Sequence, residues 1–221
     1  LAIDYDPGFA SELEAASAPA LDYLMLRGAR IAFVSTNPTG SFLADRAVKN
    51  MKPDHSYESG SHYVNLGYLP GGAAGMQLFA IDPRKAIALD VNRDDAWALF
   101  PDIHKIDDFA AVIILTDNAE TGRMWIEQTR AALKDKPMLM VISAQAEPMI
   151  RPYYDSAQVQ GLITGLSGGA YYEDLLQRPN RASRHWNAYG IAALISAFVI
   201  FFGGIWNLIA GIRARRSQAE E

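Results

Sequence analysis

The chain predicts a Rossmann-like or flavodoxin-like α/β domain, a mostly parallel sheet with flanking helices, followed by one C-terminal transmembrane helix. Three observations carry this. Over residues 1 to 177, short apolar or β-branched runs alternate with amphipathic runs of helical period, the pattern of strands joined by crossover helices. The roughly 180 residues ahead of the closing apolar stretch suit one ordinary domain with its own core. Residues 188 to 212, AYGIAALISAFVIFFGGIWNLIAGI, contain no charge. As a helix they reach about 37 Å, enough to cross a hydrocarbon core of about 30 Å.

Strands are expected at about 1 to 5 (LAIDY), 29 to 36 (ARIAFVST), 62 to 68 (HYVNLGY), 109 to 116 (FAAVIILT), 137 to 143 (PMLMVIS) and 160 to 164 (QGLIT). Helices are expected between them. Residues 9 to 27 set Leu13, Ala16, Leu21 and Leu24 toward one side, with Pro19 predicting a kink or a break. Further helices are expected at 41 to 51, 72 to 80 and 119 to 134. Residues 82 to 108 carry Pro83, Pro101 and many Asp, and read as an irregular excursion with one short strand, KAIALDV. Residues 178 to 187 (RPNRASRHWN) form a short polar linker, and 213 to 221 a charged tail.

Charge and composition exclude several functions. Fifteen of the 20 Lys and Arg but 23 of the 25 Asp and Glu lie in residues 1 to 180, a net charge of −8. Such a domain repels a phosphate backbone, and no basic stripe interleaves with aromatics, so no nucleic-acid partner is expected. The chain has no cysteine, which removes disulfides, thiolate metal sites and a thiol nucleophile. His55, His62, His104 and His185 show no zinc spacing, and although GLSGG (165 to 169) has the letters of GxSxG, Ser167 is read as lying in a glycine-rich turn rather than in the elbow of a serine hydrolase. No cofactor is expected.

In open α/β sheets ligands bind beyond the carboxyl ends of the strands. The segments there are DYDPG (4 to 8), STNPTGS (35 to 41), GYLPGGAAG (67 to 75), TDNAETG (116 to 122), SAQAEP (143 to 148) and TGLSGG (164 to 169). They make Asp4, Asp6, Thr36, Asn37, Gly71, Gly72 and Asp117 ligand-binding candidates, to which the segment 152 to 173 adds Ser156 and Gln158. Asp4, Asp6 and Asp117 have the oxygen ligands a magnesium ion takes, and equally suit helix caps and turns. Gly71 and Gly72 suit an anion cradle or a tight strand-to-helix turn. Tyr153, Tyr154, Tyr171 and Tyr172 suit stacking on a ligand or packing at a sheet edge.

DYDPG, RGARIAFVSTNPTG (27 to 40), YVNLGYLPGG (63 to 72) and YYDSAQVQGLITGLSGGAYYE (153 to 173) resemble an uncharacterised family of prokaryotic membrane-anchored α/β proteins. The last segment is close to a family pattern YxxSGQxxGLxxGLxGAxxYE, with Ala157 and Gly169 in place of the pattern's Gly and Ala. The resemblance implies a topology and no activity. A further span upstream of the first strand would hold the domain between two spans, outside the cytoplasmic membrane. The arginines flanking the closing helix do not decide sidedness, since Arg178, Arg181 and Arg184 precede it and Arg213, Arg215 and Arg216 follow it.

Within the closing helix Ala193, Ser196, Gly203, Asn207 and Ala210 fall near one stripe interrupted by Ile200, while Phe198, Phe201, Phe202 and Ile205 lie mostly elsewhere and suit lipid. Small residues admit another helix and Asn207 can bond across the contact, or serve simply to meet the headgroups beside Trp206. The expected function is that of a non-catalytic subunit of a membrane protein assembly. Its domain docks on partners outside the membrane, and its helix packs against other transmembrane subunits or a second copy within membrane lipid. The alternatives are a tethered metal-dependent hydrolase of phosphorylated or glycan-type envelope substrates, using Asp4, Asp6 and Asp117, and a small-anion binding module.

Overall fold

All six strands run parallel in one sheet of order β3-β2-β1-β4-β5-β6. They are β1 (Ala2–Asp4), β2 (Ile31–Ser35), β3 (Tyr63–Tyr68), β4 (Val112–Thr116), β5 (Met138–Ile142) and β6 (Gly161–Thr164). This order decides between the two expected topologies in favour of the Rossmann one, whose direction of travel reverses between β1 and β4. The computed structural model describes residues 1–51 and 56–219. His55 and the end of the charged tail lie outside the described residues, as do the side chains of Arg213, Arg215 and Arg216.

Every residue of β1, β2 and β4 is buried, as expected of strands covered on both faces. Side chains alternate between two cores. Ile114, Val34 and Met140 enter a cluster with Met76, Phe79, Trp97 and Trp125. Ile113, Leu115, Phe33 and Val141 enter the other, with Leu13, Leu21, Leu43 and Val48. The first face is covered by α3 (Gly72–Ile81), α5 (Ala119–Leu133) and the excursion after α3, the second by α1 (Ala10–Leu26) and α2 (Gly40–Met51). The remaining helices are α4 (Pro83–Ala86), α6 (Glu147–Asp155), α7 (Gly165–Leu175) and α8 (Arg181–Ala219).

Four expectations are corrected. Pro19 does not break α1, which continues for 17 residues with Pro19 itself buried. Burial of Leu13, Ala16 and Leu21 outweighs the one backbone bond a proline forfeits. KAIALDV forms no strand: Asp82 caps α4 by accepting from the Lys85 N–H at 3.1 Å, and only an isolated bridge, Leu89 to Asp95, follows. GLSGG is not a turn, because α7 starts at Gly165 and takes Ser167 into its first turns.

The linker is the fourth. Helix α8 begins at Arg181, and the segment leading to it is fastened down by the buried carboxylate of Glu173. Oε2 accepts from the backbone of Asn180 (2.8 Å) and Ser183 (2.9 Å) and from Ser183 Oγ (2.6 Å), and Oε1 accepts from Ala182 N–H (2.9 Å). These are N–H groups a helix start leaves without internal partners. Arg178 adds an ion pair to Asp22 at 2.7 Å. The chain divides into two units, Leu1–Ser183 and Arg184–Glu221. The described residues of the second are helical, and the stretch Arg181–Ala210 is long and apolar enough to cross a membrane.

Candidate functional site

The carboxyl ends of β1, β2 and β4 meet at an open crevice of about 330 Å³, lined by Asp4, Asp6, Thr36, Asn37, Pro38, Asp117, Asn118 and Thr121. It sits where the strand order reverses, the position at which this topology binds ligands. The structure thus brings together five of the candidates, Asp4, Asp6, Thr36, Asn37 and Asp117.

Asp4 is the last residue of β1 and is buried. Its Oδ1 accepts from Ser35 Oγ (2.8 Å), Thr36 N–H (2.6 Å) and Asn37 N–H (3.3 Å). Its Oδ2 accepts from Thr36 Oγ1 (3.0 Å) and from the indole Nε1–H of Trp125. One carboxylate therefore ties β1 to the β2 loop and to α5. Gly40 belongs to the same arrangement: a Cβ there would stand 1.9 Å from Ser35 Oγ and 2.5 Å from Ile3 O, so only glycine lets α2 start this close.

The other polar groups are also held by local bonds. Asp6 Oδ1 accepts from Gly8 N–H at 2.9 Å and caps the short 3-10 turn Pro7–Phe9. Asp117 Oδ1 accepts from Asp6 N–H at 2.9 Å, joining the β1 and β4 loops. Asn118 caps α5, its Oδ1 accepting from Glu120 N–H (2.9 Å) and Thr121 N–H (3.2 Å). Asn37 Oδ1 accepts from the Thr39 N–H (3.1 Å) and hydroxyl (2.9 Å), shaping the turn into α2. These are the caps and turns that the same residues suited in the sequence. The proposed metal set does not form: among the described residues, no group of three or more His, Asp or Glu is placed to hold an ion. No His, Lys or Arg lines the crevice.

The remaining candidates lie elsewhere. Gly71 (φ +95°) caps α3 and Gly72 (φ +53°) opens it, while a Cβ on Gly75 would stand 2.0 Å from Pro70 O. PGGAAG is a strand-to-helix turn, and neither glycine reaches the crevice. Ser156 Oγ donates to Tyr153 O (3.3 Å) and Gln158 Nε2 to Ser156 Oγ (3.1 Å), both in the exposed turn that leads to β6. Tyr154, Tyr171 and Tyr172 line a separate apolar groove along β5 and β6, whereas Tyr153 donates to Glu127 Oε1 at 3.1 Å. In α8, Ser196 Oγ donates to its own helix at Ala192 O (2.9 Å); Ala193, Gly203, Asn207 and Ala210 are exposed along that helix.

No family model, curated protein or solved structure matches this chain. The segment 153 to 173 can nonetheless be read residue by residue. Ala157 holds φ +59°, the left-handed region that favours the glycine of the resembled pattern. A Cβ on Gly161 would lie 2.7 Å from Leu139 Cδ2, and one on Gly169 would lie 2.7 Å from Ala16 Cα. Gly165 turns at φ +54° and Glu173 fastens the start of α8. The three glycines and Glu173 thus have a structural reason to be what they are, whereas Ala157 stands where the backbone favours glycine.

Trp125, Ser35 and Asn118 were missed by sequence reasoning. A tryptophan on an amphipathic helix reads as core, and only the fold sets its N–H against a carboxylate 121 residues away. Asn118 alone had a usable signal, standing directly before a helical run as an N-cap does.

Proposed function

We propose that this chain is a non-catalytic subunit of a membrane protein assembly. Its α/β domain docks on partner proteins outside the membrane, and α8 packs among other transmembrane helices in lipid. The observation that carries this reading is the state of Asp4. A hydrolase needs a carboxylate with free oxygens facing substrate, metal or water, and both oxygens of Asp4 are instead taken by protein donors, chiefly the Thr36 N–H and hydroxyl and the Trp125 indole N–H. The crevice supplies no histidine or lysine to move a proton. A small anion would meet Asp6 and Asp117 with no cationic side chain to balance them, which disfavours an anion-binding module. The domain is placed on the outer side, with a further span upstream, on the strength of the resemblance.

Native mass spectrometry of the chain released from its own membranes in mild detergent tests the proposal. The expected result is a complex heavier than one chain that survives dilution. A species of single-chain mass, with no associated protein at any detergent concentration tried, refutes it.

A further inference from the structure

The foot of the sheet holds a slot between β2 and β4. Strand β1 is the shortest of the three, and Ala2 stands opposite Val34 on one side and Ile114 on the other. Past Leu1, β2 and β4 therefore run on toward their amino ends with no strand between them. An apolar cavity of about 140 Å³ lies there, walled by Leu24, Ile31, Ala111, Phe79, Ile106 and Trp125. Protein interiors carry few voids larger than a water molecule.

The backbone around the slot is set for a strand. Leu1 directs both its backbone groups to β2, its nitrogen donating to Ala32 O at 2.7 Å and its carbonyl accepting from Val34 N–H at 3.0 Å. Val112 N–H turns away from the slot to Pro137 O (3.0 Å), and Ile31 N–H turns away to His62 O (3.0 Å). By the alternation along a strand, Ile113 and Ala32 then point their N–H groups into the slot. Both residues are buried, and among the described residues no turn or loop carbonyl accepts from either. Buried N–H groups without an acceptor are rare. In parallel pairing the acceptor for Ile113 is the carbonyl directly before Leu1, and that for Ala32 is the carbonyl one residue earlier.

The same geometry selects the occupant. A strand in the slot runs in line with β1 and ends against the Leu1 nitrogen, which already sits where a strand N–H sits. Burial pushes a free amine there down to about 5, whereas a peptide N–H in that place has no charge to bury. A separate peptide would also have to end in a carboxylate at this apolar spot, at a large cost in desolvation.

We infer that β1 extends upstream of Leu1 by about two residues, which fill the slot between β2 and β4. The inner of the two stands opposite Ala32 and Val112 and faces their cluster, with Phe79, Ile106 and Trp125. The outer one faces the other core, beside Leu24. Both are apolar, as a central strand covered on both faces requires. The upstream chain therefore reaches the domain at the end of β1 remote from Asp4 and the crevice. The inference goes beyond the assembly proposed above and does not depend on it.

Residues 1 to 221 contain no cysteine, so introduced thiols stand out. In the full chain, Ala32→Cys is combined with a cysteine at the position directly before Leu1, and native membranes are oxidised mildly. Neighbouring strands lie about 4.8 Å apart, within the disulfide Cα range of about 4.4–6.8 Å. The expected result is a disulfide within the chain, read after denaturation as loss of both thiols to maleimide labelling. The same upstream cysteine combined with Met149→Cys, exposed on α6, is expected to stay reduced. Hydrogen exchange of the unsubstituted full chain gives a second reading, which decides if the paired variant does not fold. There the Ile113 and Ala32 amides are expected to exchange at least about a hundredfold slower than unstructured amides. Two free thiols in a folded Ala32 pair, exchange of both amides at the unstructured rate, or a native chain that starts at Leu1 overturns the inference. A parent chain of single-chain mass overturns the assembly and leaves the strand standing.

Discussion

Replacing Asp4 by asparagine separates a structural carboxylate from a functional one. The substitution keeps the shape and converts one oxygen into an amide NH2. Oδ1 faces two backbone N–H groups, of Thr36 and Asn37, that can only donate, together with the Ser35 hydroxyl. Oδ2 faces the Trp125 indole N–H, which also can only donate, and the Thr36 hydroxyl, which can rotate. The amide nitrogen therefore settles best at Oδ2 and opposes one obligatory donor. A hydrogen bond to a charged group contributes about 1.5–3 kcal/mol, and a buried donor left without a partner costs about 1–3 kcal/mol. Since a neutral amide is easier to bury than a carboxylate, a net loss of about 2–4 kcal/mol is expected. With a urea slope of about 2 kcal/mol/M, the midpoint falls by about 1–2 M. Urea unfolding of the full chain in mild detergent measures this, followed by Trp fluorescence against the constant contribution of Trp186 and Trp206. A variant within about 0.5 kcal/mol of the parent, or more stable than it, refutes the structural role, because functional carboxylates are commonly held at a cost to stability.

The remaining predictions concern the junction, one strained turn and acid stability. Glu173→Gln sets an amide nitrogen among N–H donors from residues 180 to 183 and is expected to speed hydrogen exchange at those amides at least tenfold, about 1.4 kcal/mol of local stability; unchanged exchange would show that the carboxylate does not hold the helix start. Ala157→Gly relieves a φ of +59° and is expected to raise stability by about 0.5–1 kcal/mol in thermal unfolding, with a lower melting temperature counting against it. Three carboxyls near the surface sit below the ordinary 3.8: Asp108 through bonds from the His104 and Lys105 N–H groups, Asp107 through its bond from Lys134, and Asp82 through the Lys85 N–H. A carboxyl lowered in the folded state contributes fully above its unfolded value and loses that contribution as pH falls through the folded one. Stability should therefore decline below about pH 4, and Asp108→Asn should flatten that decline; an equal slope in the variant would remove Asp108 from the account.

Much of the fold was legible because its causes are local. The continuous apolar runs VIILT and MLMVI are buried on both faces and read as central strands without reference to anything distant. Asn118 before α5 and Asp6 before Pro7 are caps, and a cap depends on residues two or three positions away. Pro19 misled because a local rule was outweighed by burial of its neighbours against the sheet. KAIALDV misled because α4 takes its first two residues and only Val91 bonds to β3, through the Asn65 carbonyl, which makes no ladder.

The candidate site was legible as a set of strand-end residues, and Asp4, Asp6, Thr36, Asn37 and Asp117 do converge. Their chemistry was not legible. Residue type says that a carboxylate can take a metal or a proton, whereas the fold decides which donors reach it first.

The sequence by itself determined the alternation of strands and helices, the acidic domain, the absence of thiol chemistry and the long apolar helix at the C-terminus. Each of these is a property of neighbouring residues or of composition. Only the tertiary structure decided the strand order, the joining of Asp4 to Trp125, the bond of Val91 to the β3 edge, and the fastening of residues 180 to 183 by Glu173. The physical reason is common to all four. A hydrogen bond between residues far apart in the chain exists only once the sheet has set its strands in order, and no local preference encodes that distance.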